Sequence, residues 1–371
     1  MGAMRRGLLF DKMLFTATLA LVALGILMIY SSSAIRAQER FGDPNLFLKK
    51  QLLWAALGVC ALMATMYWNY RGWQRWALPL FLISLFLLLL VLVPQVGVKV
   101  NGARRWLSVG GFSFQPSEPA KMSLVLLLSR LLAQKGARVQ EFNHGLLPLL
   151  VAMGVIALPV LLQPNFGNVV VIVTVGLMMC FLGGARMRHL LLVSLALLPA
   201  LLGMMMLSSH ARSRLLTLLD PSRMPEGARY QITQSFYALG PGGLWGRGLG
   251  DGIQKLFYLP EPHTDFIFAI IGEEIGFLGA STVVFLFGVL LWRGTRIALR
   301  APDPFGRYLA MGMTCLLVSQ AAINLGMVVG ILPTTGLPLP FLSFGGSSLL
   351  LSLMEVGILL NISHFAEAKS P

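Results

Sequence analysis

The sequence has few charged residues and few cysteines, and each shortage limits what the chain can be. Only 12% of the 371 residues are charged, whereas 56% are hydrophobic; an ordinary soluble domain has roughly a quarter of its residues charged. This balance argues against a water-soluble fold. The three cysteines, Cys60, Cys180 and Cys315, each lie in an apolar run with no CxxC or Cys/His spacing nearby. We therefore expect neither a disulfide nor a metal site from them.

Signatures of several enzyme classes are also missing. The chain has no GxxxxGK[ST] loop, and its glycine-rich segment 240–250 does not join a strand to a helix, so ATP binding is not predicted. It has no GxSxG or HExxH motif either. Acidic residues are scarce: 15 Asp and Glu stand against 29 Lys and Arg, which gives a formal net charge of +14. Because the basic residues are scattered through short loops, this charge favours contact with anionic membrane lipid and not with nucleic acid.

What the sequence does contain is a series of long apolar runs. About 20 mainly apolar residues in a helix cross the hydrocarbon core, where every backbone polar group must find a partner within the structure. The sequence predicts an all-α integral membrane protein with about ten transmembrane helices and a single domain over residues 1–371. The predicted spans lie near residues 13–35, 50–68, 77–98, 116–133, 145–162, 167–185, 189–209, 265–292, 308–331 and 343–364.

The amino terminus and one long loop set the expected topology. Arg5, Arg6 and Lys12 precede the first apolar run, which resembles a signal peptide. That run is much longer than the roughly 7 to 15 residues of a cleaved signal, so an uncleaved first span is predicted. The same basic residues predict a cytoplasmic amino terminus. Because ten spans are an even number, the carboxyl terminus is predicted on the same side. Residues 210–263 contain no spanning run and form the predicted extracytoplasmic loop between spans seven and eight, too long for a plain connector.

In that orientation the outer side carries an unusual number of cations, which would suit a polyanionic substrate. Contact with lipid headgroups explains any single one of them equally well. These cations are Lys99, Arg104, Arg105, Lys121, Arg212, Arg214, Arg223, Arg229, Arg247 and Lys255.

Glu118 and Lys121 stand at the start of the fourth predicted span. Ionisable groups at membrane depth are costly and commonly mark a substrate or ion path. Their three-residue spacing places carboxylate and ammonium on one helix face, where they can pair. Two interpretations stay open: an ion pair that fixes helix packing, or a site in which Lys121 reaches phosphate. Arg104 and Arg105 lie shortly before them, and the planar guanidinium suits phosphate oxygens.

The polar segment 254–274 ends the large loop and runs directly into the eighth predicted span. Thr264 and Asp265 are of the types that commonly cap the first free N–H groups of a helix. An aspartate at this depth is also well placed as a general base for a lipid-linked substrate whose head group lies at the interface. The neighbouring His263 either orients that carboxylate or simply lies at the interface.

A second glycine-rich segment, residues 339–348, opens the tenth predicted span and contains Ser343 and Ser347. Small residues at this position permit two helices to approach closely. A contact with substrate is the second interpretation, and the sequence does not decide between them.

Four segments together resemble the SEDS family (shape, elongation, division and sporulation) of ten-span peptidoglycan glycosyltransferases. They are residues 101–106, 115–121, 260–276 and 338–348. The resemblance covers nearly the whole chain. Residues 248–250, 254–255 and 270–274 are more similar to the division members of the family than to the elongation members.

The resemblance assigns roles to individual residues. It implies that Asp265 is the catalytic carboxylate and that Arg105, Glu118 and Lys121 belong to an essential extracytoplasmic site. Arg104 competes with Arg105 for its role, because most relatives carry other residues at this point of the motif. The remaining expected substrate contacts are Lys255, His263, Thr264, Ser343 and Ser347.

The activity implied is that of an inverting glycosyltransferase, which polymerises lipid II into glycan strands at the outer face of the bacterial cytoplasmic membrane, at the division septum. The implied partners are lipid II, undecaprenyl diphosphate-linked glycan, membrane lipid, a class B penicillin-binding protein that crosslinks the strands, and other division proteins. The sequence identifies no definite cofactor and shows no dedicated ligand cluster; a divalent cation, Mg²⁺ or Mn²⁺, is the one candidate.

Three different functions also fit parts of the sequence. Ten spans with charges at membrane depth suit a lipid II flippase or another transporter. An elongation-type polymerase and a scaffold that only recruits division proteins fit as well. The polar motifs gather at the outer ends of the predicted spans, and this distribution favours chemistry at the interface over transport.

Overall fold

The computed structural model describes residues 10–100, 103–109, 112–207, 212, 226–256 and 258–367. The α-helices in these ranges are α1 (Lys12–Phe41), α2 (Leu46–Tyr67), α3 (Arg71–Leu92), α4 (Ser117–Lys135), α5 (Leu147–Leu162), α6 (Phe166–Leu182), α7 (Met187–Leu207), α8 (Glu226–Leu239), α9 (Ile267–Glu274), α10 (Gly276–Arg300), α11 (Pro304–Val328) and α12 (Gly346–Glu367). A short 3₁₀ turn (Gly136–Gln140) and a π turn (Phe142–Leu146) precede α5.

The prediction of an all-α membrane protein is confirmed. Within the described ranges, 8 helices are long and apolar enough to cross a membrane. Two further predicted spans correspond to α4, which contains buried charged residues, and to α6, which is apolar but has only 17 residues. Each of the ten predicted spans therefore contains a helix. The assignment of residues 1–371 to one domain stays a prediction, and part of the 210–263 loop lies outside the described residues.

The third predicted span, residues 77–98, was wrong at its carboxyl end. Helix α3 stops at Leu92, and the chain then forms an antiparallel three-stranded sheet of β1 (Gly97–Val100), β2 (Ala103–Val109) and β3 (Phe112–Phe114). The residue before a proline is disfavoured in the α region, and Val93, which precedes Pro94, is extended. An apolar run alone does not distinguish such a strand from the end of a helix.

The two ends of the described chain lie at the same end of the bundle. Asp11 accepts a hydrogen bond from the Leu14 backbone N–H (3.0 Å) and so caps α1, while its own N–H donates to Ser363 Oγ (3.1 Å) near the end of α12. Arg293, near the end of α10, pairs with the Asp11 carboxylate at 2.6 Å. An even number of crossings predicts this arrangement. We call this end of the bundle the terminal face and the other end the loop face.

The eighth predicted span is divided, and the glycine-rich segment stabilises the break. Helix α9 ends at Glu274 and α10 begins at Gly276. The carbonyls of Glu273 and Glu274 accept from the N–H groups of Arg247 (3.0 Å) and Gly248 (3.1 Å). At the start of α10, the N–H groups of residues 277 and 278 donate to the carbonyls of residues 243 and 244. Residues 243–248 therefore supply partners to both helix ends, which would otherwise be left unpaired.

Candidate active site

The polar motifs singled out in the sequence meet at the loop face. The Gln115 N–H donates to Ser347 Oγ (3.3 Å), which joins the start of α4 to the start of α12. Phe344 packs against Phe47 and His263, with ring centroids 5.1 and 5.8 Å away. Segments that are far apart in sequence thus form one surface around residues 260–266.

Asp265 lies in the turn immediately before α9 and is partly exposed. The interpretation of Thr264 and Asp265 as the helix cap is wrong. The N-cap residue of α9 is Phe266, whose side chain makes no capping hydrogen bond, and the Thr264 hydroxyl donates to the Glu261 carbonyl (3.2 Å). The Thr264 hydroxyl therefore stabilises the turn and not the first N–H groups of α9.

Three successive backbone carbonyls hold the Asp265 segment in place. The His263 carbonyl accepts from the Phe344 N–H (2.8 Å), and the Thr264 carbonyl accepts from the Ser343 hydroxyl. The Asp265 carbonyl accepts from Asn324 Nδ2 (2.9 Å) on α11. Ser343 also accepts from the Leu339 N–H (2.8 Å), so its hydroxyl is engaged on both sides.

The His263 ring is buried between two aromatic rings. It lies 4.7 Å from the Phe47 ring and 5.8 Å from the Phe344 ring, and 8% of the residue is exposed. Burial, assisted by the positive charge of Arg36, lowers the pKa of His263 to about 4. At neutral pH the imidazole is therefore uncharged. It serves the site as a packed aromatic group two residues before Asp265.

Glu118 and Lys121 form the predicted ion pair, which is confirmed. Lys121 Nζ lies 2.8 Å from Glu118 Oε1, and both side chains are almost fully buried. The ammonium also donates to Gln320 Oε1 on α11 (2.6 Å). A second carboxyl group, Glu355 on α12, is buried and interacts electrostatically with both partners. The pair is thus enclosed within the bundle and not at its exposed rim.

Arg105 on β2 reaches across to the turn between α5 and α6. Its Nε donates to the Gln163 carbonyl (3.3 Å), and its Nη2 donates to the Pro164 carbonyl. The guanidinium therefore fixes the sheet against this turn while part of the residue stays exposed. Arg104 is also partly exposed, and its Nε is buried without a hydrogen-bond partner among the described residues. The competition between Arg104 and Arg105 for the predicted role stays open.

Lys255 lies in a different network, which ties the glycine-rich segment to the first helix. Its ammonium contacts Glu274 Oε1 (2.8 Å), Ser31 Oγ (3.0 Å) and the Gly250 carbonyl (2.5 Å). Only 3% of the residue is exposed. The adjacent Glu273 accepts from the Ile253 N–H (2.7 Å). These contacts stabilise the segment, and a substrate contact for Lys255 stays a prediction.

The structure adds three polar residues that sequence reasoning missed: Ser31, Gln320 and Asn324. Gln320 and Asn324 are buried on α11. Glu355 is an ionisable residue at membrane depth to which the sequence assigned no role. A signal was available for the α11 pair, because Gln320 and Asn324 are spaced four apart within an uncharged run. Such polar positions on one helix face of a membrane bundle indicate partners inside the protein.

Among the residues that the structure describes, no three His, Cys, Asp or Glu side chains converge as a metal site would require. Of the other predicted outer cations, Lys99 is exposed on β1, whereas Arg214 and Arg223 lie outside the described residues. A dependence on Mg²⁺ or Mn²⁺ stays a prediction.

The fold and the polar loop face define a class: a polytopic α-helical membrane protein whose functional groups gather at one end of the bundle. The family model described as cell cycle protein, which covers FtsW, RodA and SpoVE proteins, matches residues 11–368. The chain belongs to this family, and the SEDS resemblance is confirmed.

Individual relatives are similar over nearly their full length. Stage V sporulation protein E of Bacillus subtilis is 45% identical, with 96% of this chain and 97% of the relative covered. The probable peptidoglycan glycosyltransferase FtsW of Trichlorobacter lovleyi is 43% identical, with 95% and 93% covered.

Solved structures show the same fold. A structure titled "Structural coordination of polymerization and crosslinking by a peptidoglycan synthase complex" contains a chain with a TM-score of 0.79 and 30% identity, and the match covers 98% of this chain and 100% of that one. Rod shape determining protein RodA of Thermus thermophilus gives a TM-score of 0.71 at 29% identity, with 96% and 97% covered.

Proposed function

We infer that this protein is a peptidoglycan glycosyltransferase that polymerises lipid II at the outer face of the cytoplasmic membrane. The observation that carries this proposal is the partly exposed Asp265, whose main chain is held at three successive carbonyls. Full-length relatives named as probable peptidoglycan glycosyltransferases support it.

The reaction requires one inverting displacement. The 4-hydroxyl of the N-acetylglucosamine of lipid II attacks the anomeric carbon of the lipid-linked muramyl residue at the end of the growing chain. The new glycosidic bond forms as the bond to undecaprenyl diphosphate breaks, and Asp265 takes the hydroxyl proton. An α-linked donor then gives a β-linked product without a covalent enzyme intermediate.

The leaving diphosphate gains negative charge as its bond breaks. Cations aimed at that charge stabilise the transition state more than the ground state. Arg105 suits this role, because its guanidinium lies at the loop face and the residue stays partly exposed. Lys121 is buried with Glu118 and Gln320, so we assign it to the framework of the site and not to direct phosphate contact.

The proposed setting follows from the family and from the charge distribution. The loop face is extracytoplasmic and both termini are cytoplasmic, because Arg5, Arg6 and Lys12 precede the first span. The relatives named FtsW favour synthesis at the division septum. The similar chain in a structure concerned with polymerization and crosslinking favours a crosslinking partner, a class B penicillin-binding protein.

The test is glycan polymerisation from purified lipid II in detergent, with the protein bound to its transpeptidase partner. Asp265→Asn keeps the shape of the side chain and removes its basicity, so polymer formation should fall by roughly 10²- to 10⁴-fold. Equal polymer from both proteins at matched folding and partner binding contradicts the role of Asp265. If the folded, partnered wild-type protein forms no polymer, the proposed polymerase activity is contradicted and a flippase or a scaffold is favoured.

A further inference from the structure

Two amide side chains on α11, Gln320 and Asn324, take no part in the proposed reaction. They nevertheless connect the Glu118–Lys121 pair with the turn at Asp265. Their spacing of four residues places them on one face of the helix. Both are buried, with 4% and 0% of the residue exposed. A buried amide is costly unless its polar groups are paired, so their contacts indicate what they do.

Asn324 holds the main chain of the proposed general base. Its Nδ2 donates to the Asp265 carbonyl (2.9 Å) and to the Leu337 carbonyl (2.6 Å). An amide nitrogen has two hydrogens to donate. Because both neighbours are acceptors, the nitrogen and not the oxygen must face them. Asn324 therefore fastens residue 265 to the segment between α11 and α12.

Gln320 fastens the same segment to the buried charges. Its Oε1 accepts from Lys121 (2.6 Å), and its Nε2 donates to the Pro338 carbonyl (3.1 Å). The two amides thus hold adjacent carbonyls, those of residues 337 and 338. Pro338 and Pro340 have no backbone N–H to donate, and the carbonyls of residues 337 and 338 accept their hydrogen bonds from these two side chains.

We propose that Gln320 and Asn324 are positioning residues for glycosyl transfer. They fix the main chain at Asp265 relative to the Glu118–Lys121 pair, so that the carboxylate lies where it can remove the acceptor proton. This inference rests on the proposed function. Catalytic groups must be held within roughly 0.5 Å of the productive geometry, and a misplacement of about 1 Å costs roughly 100-fold in rate. The loss should therefore fall on kcat.

The decisive variant is Asn324→Asp, which keeps the shape of the side chain and places oxygen against two carbonyl oxygens. At neutral pH, kcat for polymerisation by the partnered protein should fall roughly 10- to 100-fold, while KM for lipid II changes less than about twofold. Protonation of the introduced carboxyl group restores one hydrogen-bond donor at this position. The ratio of variant kcat to wild-type kcat should therefore rise as pH falls, whereas protonation of Asp265 lowers both rates alike.

Asn361→Asp is the matched control. Asn361 is also buried on a helix, with 4% of the residue exposed, and its Nδ2 donates to the Met66 carbonyl (2.7 Å). It lies at the terminal face, where its Oδ1 accepts from the Tyr70 N–H (2.8 Å). The control should lower the unfolding temperature as Asn324→Asp does and leave kcat unchanged.

Gln320→Glu gives a second measurement should Asn324→Asp fail to elute as a folded, monodisperse protein. It keeps the acceptor for Lys121 and removes the donor to Pro338, so kcat should again fall while KM is kept. Unchanged kcat in a folded Asn324 or Gln320 variant overturns the inference, as does an equal loss of kcat in Asn361→Asp. A wild type without polymerase activity overturns the proposed function itself, and the inference with it.

Discussion

At the residue scale, a second carboxyl group lies near the buried ion pair. Lys121 pairs with Glu118 at 2.8 Å, and Glu355 interacts electrostatically with both residues. Removing one member of a buried pair leaves an uncompensated charge, which costs about 3 to 5 kcal/mol. The consequences differ between the residues. Loss of the Lys121 ammonium leaves two carboxyl groups together without a cation. Loss of the Glu118 carboxylate leaves Lys121 beside the Glu355 carboxyl group.

Lys121→Met should therefore destabilise the protein by about 3 to 5 kcal/mol, and Glu118→Gln by clearly less. Thermal unfolding in detergent measures both. Lys49→Met is the control, because Lys49 pairs with Asp43 at a similar distance (2.7 Å) on the exposed surface, where ion pairs contribute little. A loss of stability in Glu118→Gln equal to that in Lys121→Met contradicts the compensation of the Lys121 charge by Glu355.

His263 makes stability depend on pH in a defined direction. Its pKa in the folded protein is lowered to about 4 from 6.5, so between these values the unfolded chain binds a proton that the folded chain does not. Stability therefore falls as pH decreases through this range, by up to about 3 kcal/mol. Unfolding temperatures between pH 4 and 7 should show this decline.

Two histidine variants check that assignment. His263→Gln should flatten the decline, because the titrating group is gone. His144→Gln, at an exposed histidine of the terminal face, should keep the wild-type profile. A decline that persists unchanged in His263→Gln would assign it to another group.

At the element scale, the break between α9 and α10 depends on the close approach of a glycine backbone. Gly246 has a φ of +82°, and a Cβ placed there would lie 2.1 Å from the Glu274 carbonyl oxygen. The main chain, and not a flexible side chain, would have to move. The segment that pairs with both helix ends would then be displaced from α9.

Gly246→Ala should lower stability by about 1 to 3 kcal/mol and increase amide hydrogen exchange in residues 243–256. Gly240→Ala is the matched control within the same segment, since a Cβ there meets nothing within 4 Å. Equal exchange in the two variants would show that the segment does not depend on this contact.

At the scale of the whole molecule, the topology divides the chain between two faces. Trp245, with 80% of the residue exposed, belongs to the loop face, and Arg138 is exposed beside α5 at the terminal face. In a background that carries Cys60→Ala, Trp245→Cys should react with a membrane-impermeant maleimide in intact spheroplasts. Arg138→Cys should react only after permeabilisation. The reverse pattern contradicts the proposed orientation.

The predictability of the site differed from residue to residue. The Glu118–Lys121 pair was predictable because two residues three apart on a helix need only local geometry to meet. Gln320 and Asn324 were not recognised, because their partners lie in α4, in the turn at Asp265 and in the segment after α11. Strand β1 was missed for a different reason, since the apolar run that ends the third predicted span fits the end of a helix as well as a strand.

The amino-acid sequence by itself determined the membrane fold, the near-complete set of spans and the family. Long uncharged runs admit only helices in lipid, because backbone groups there have no water to bond. Only the tertiary structure decided the roles of the polar residues. It enclosed Lys121 and Lys255, which composition alone counts among the surface cations, and it fixed Asp265 through the carbonyls of residues 263–265. A buried polar group takes its function from the partners that satisfy it, and those partners come from distant segments that only the folded bundle brings together.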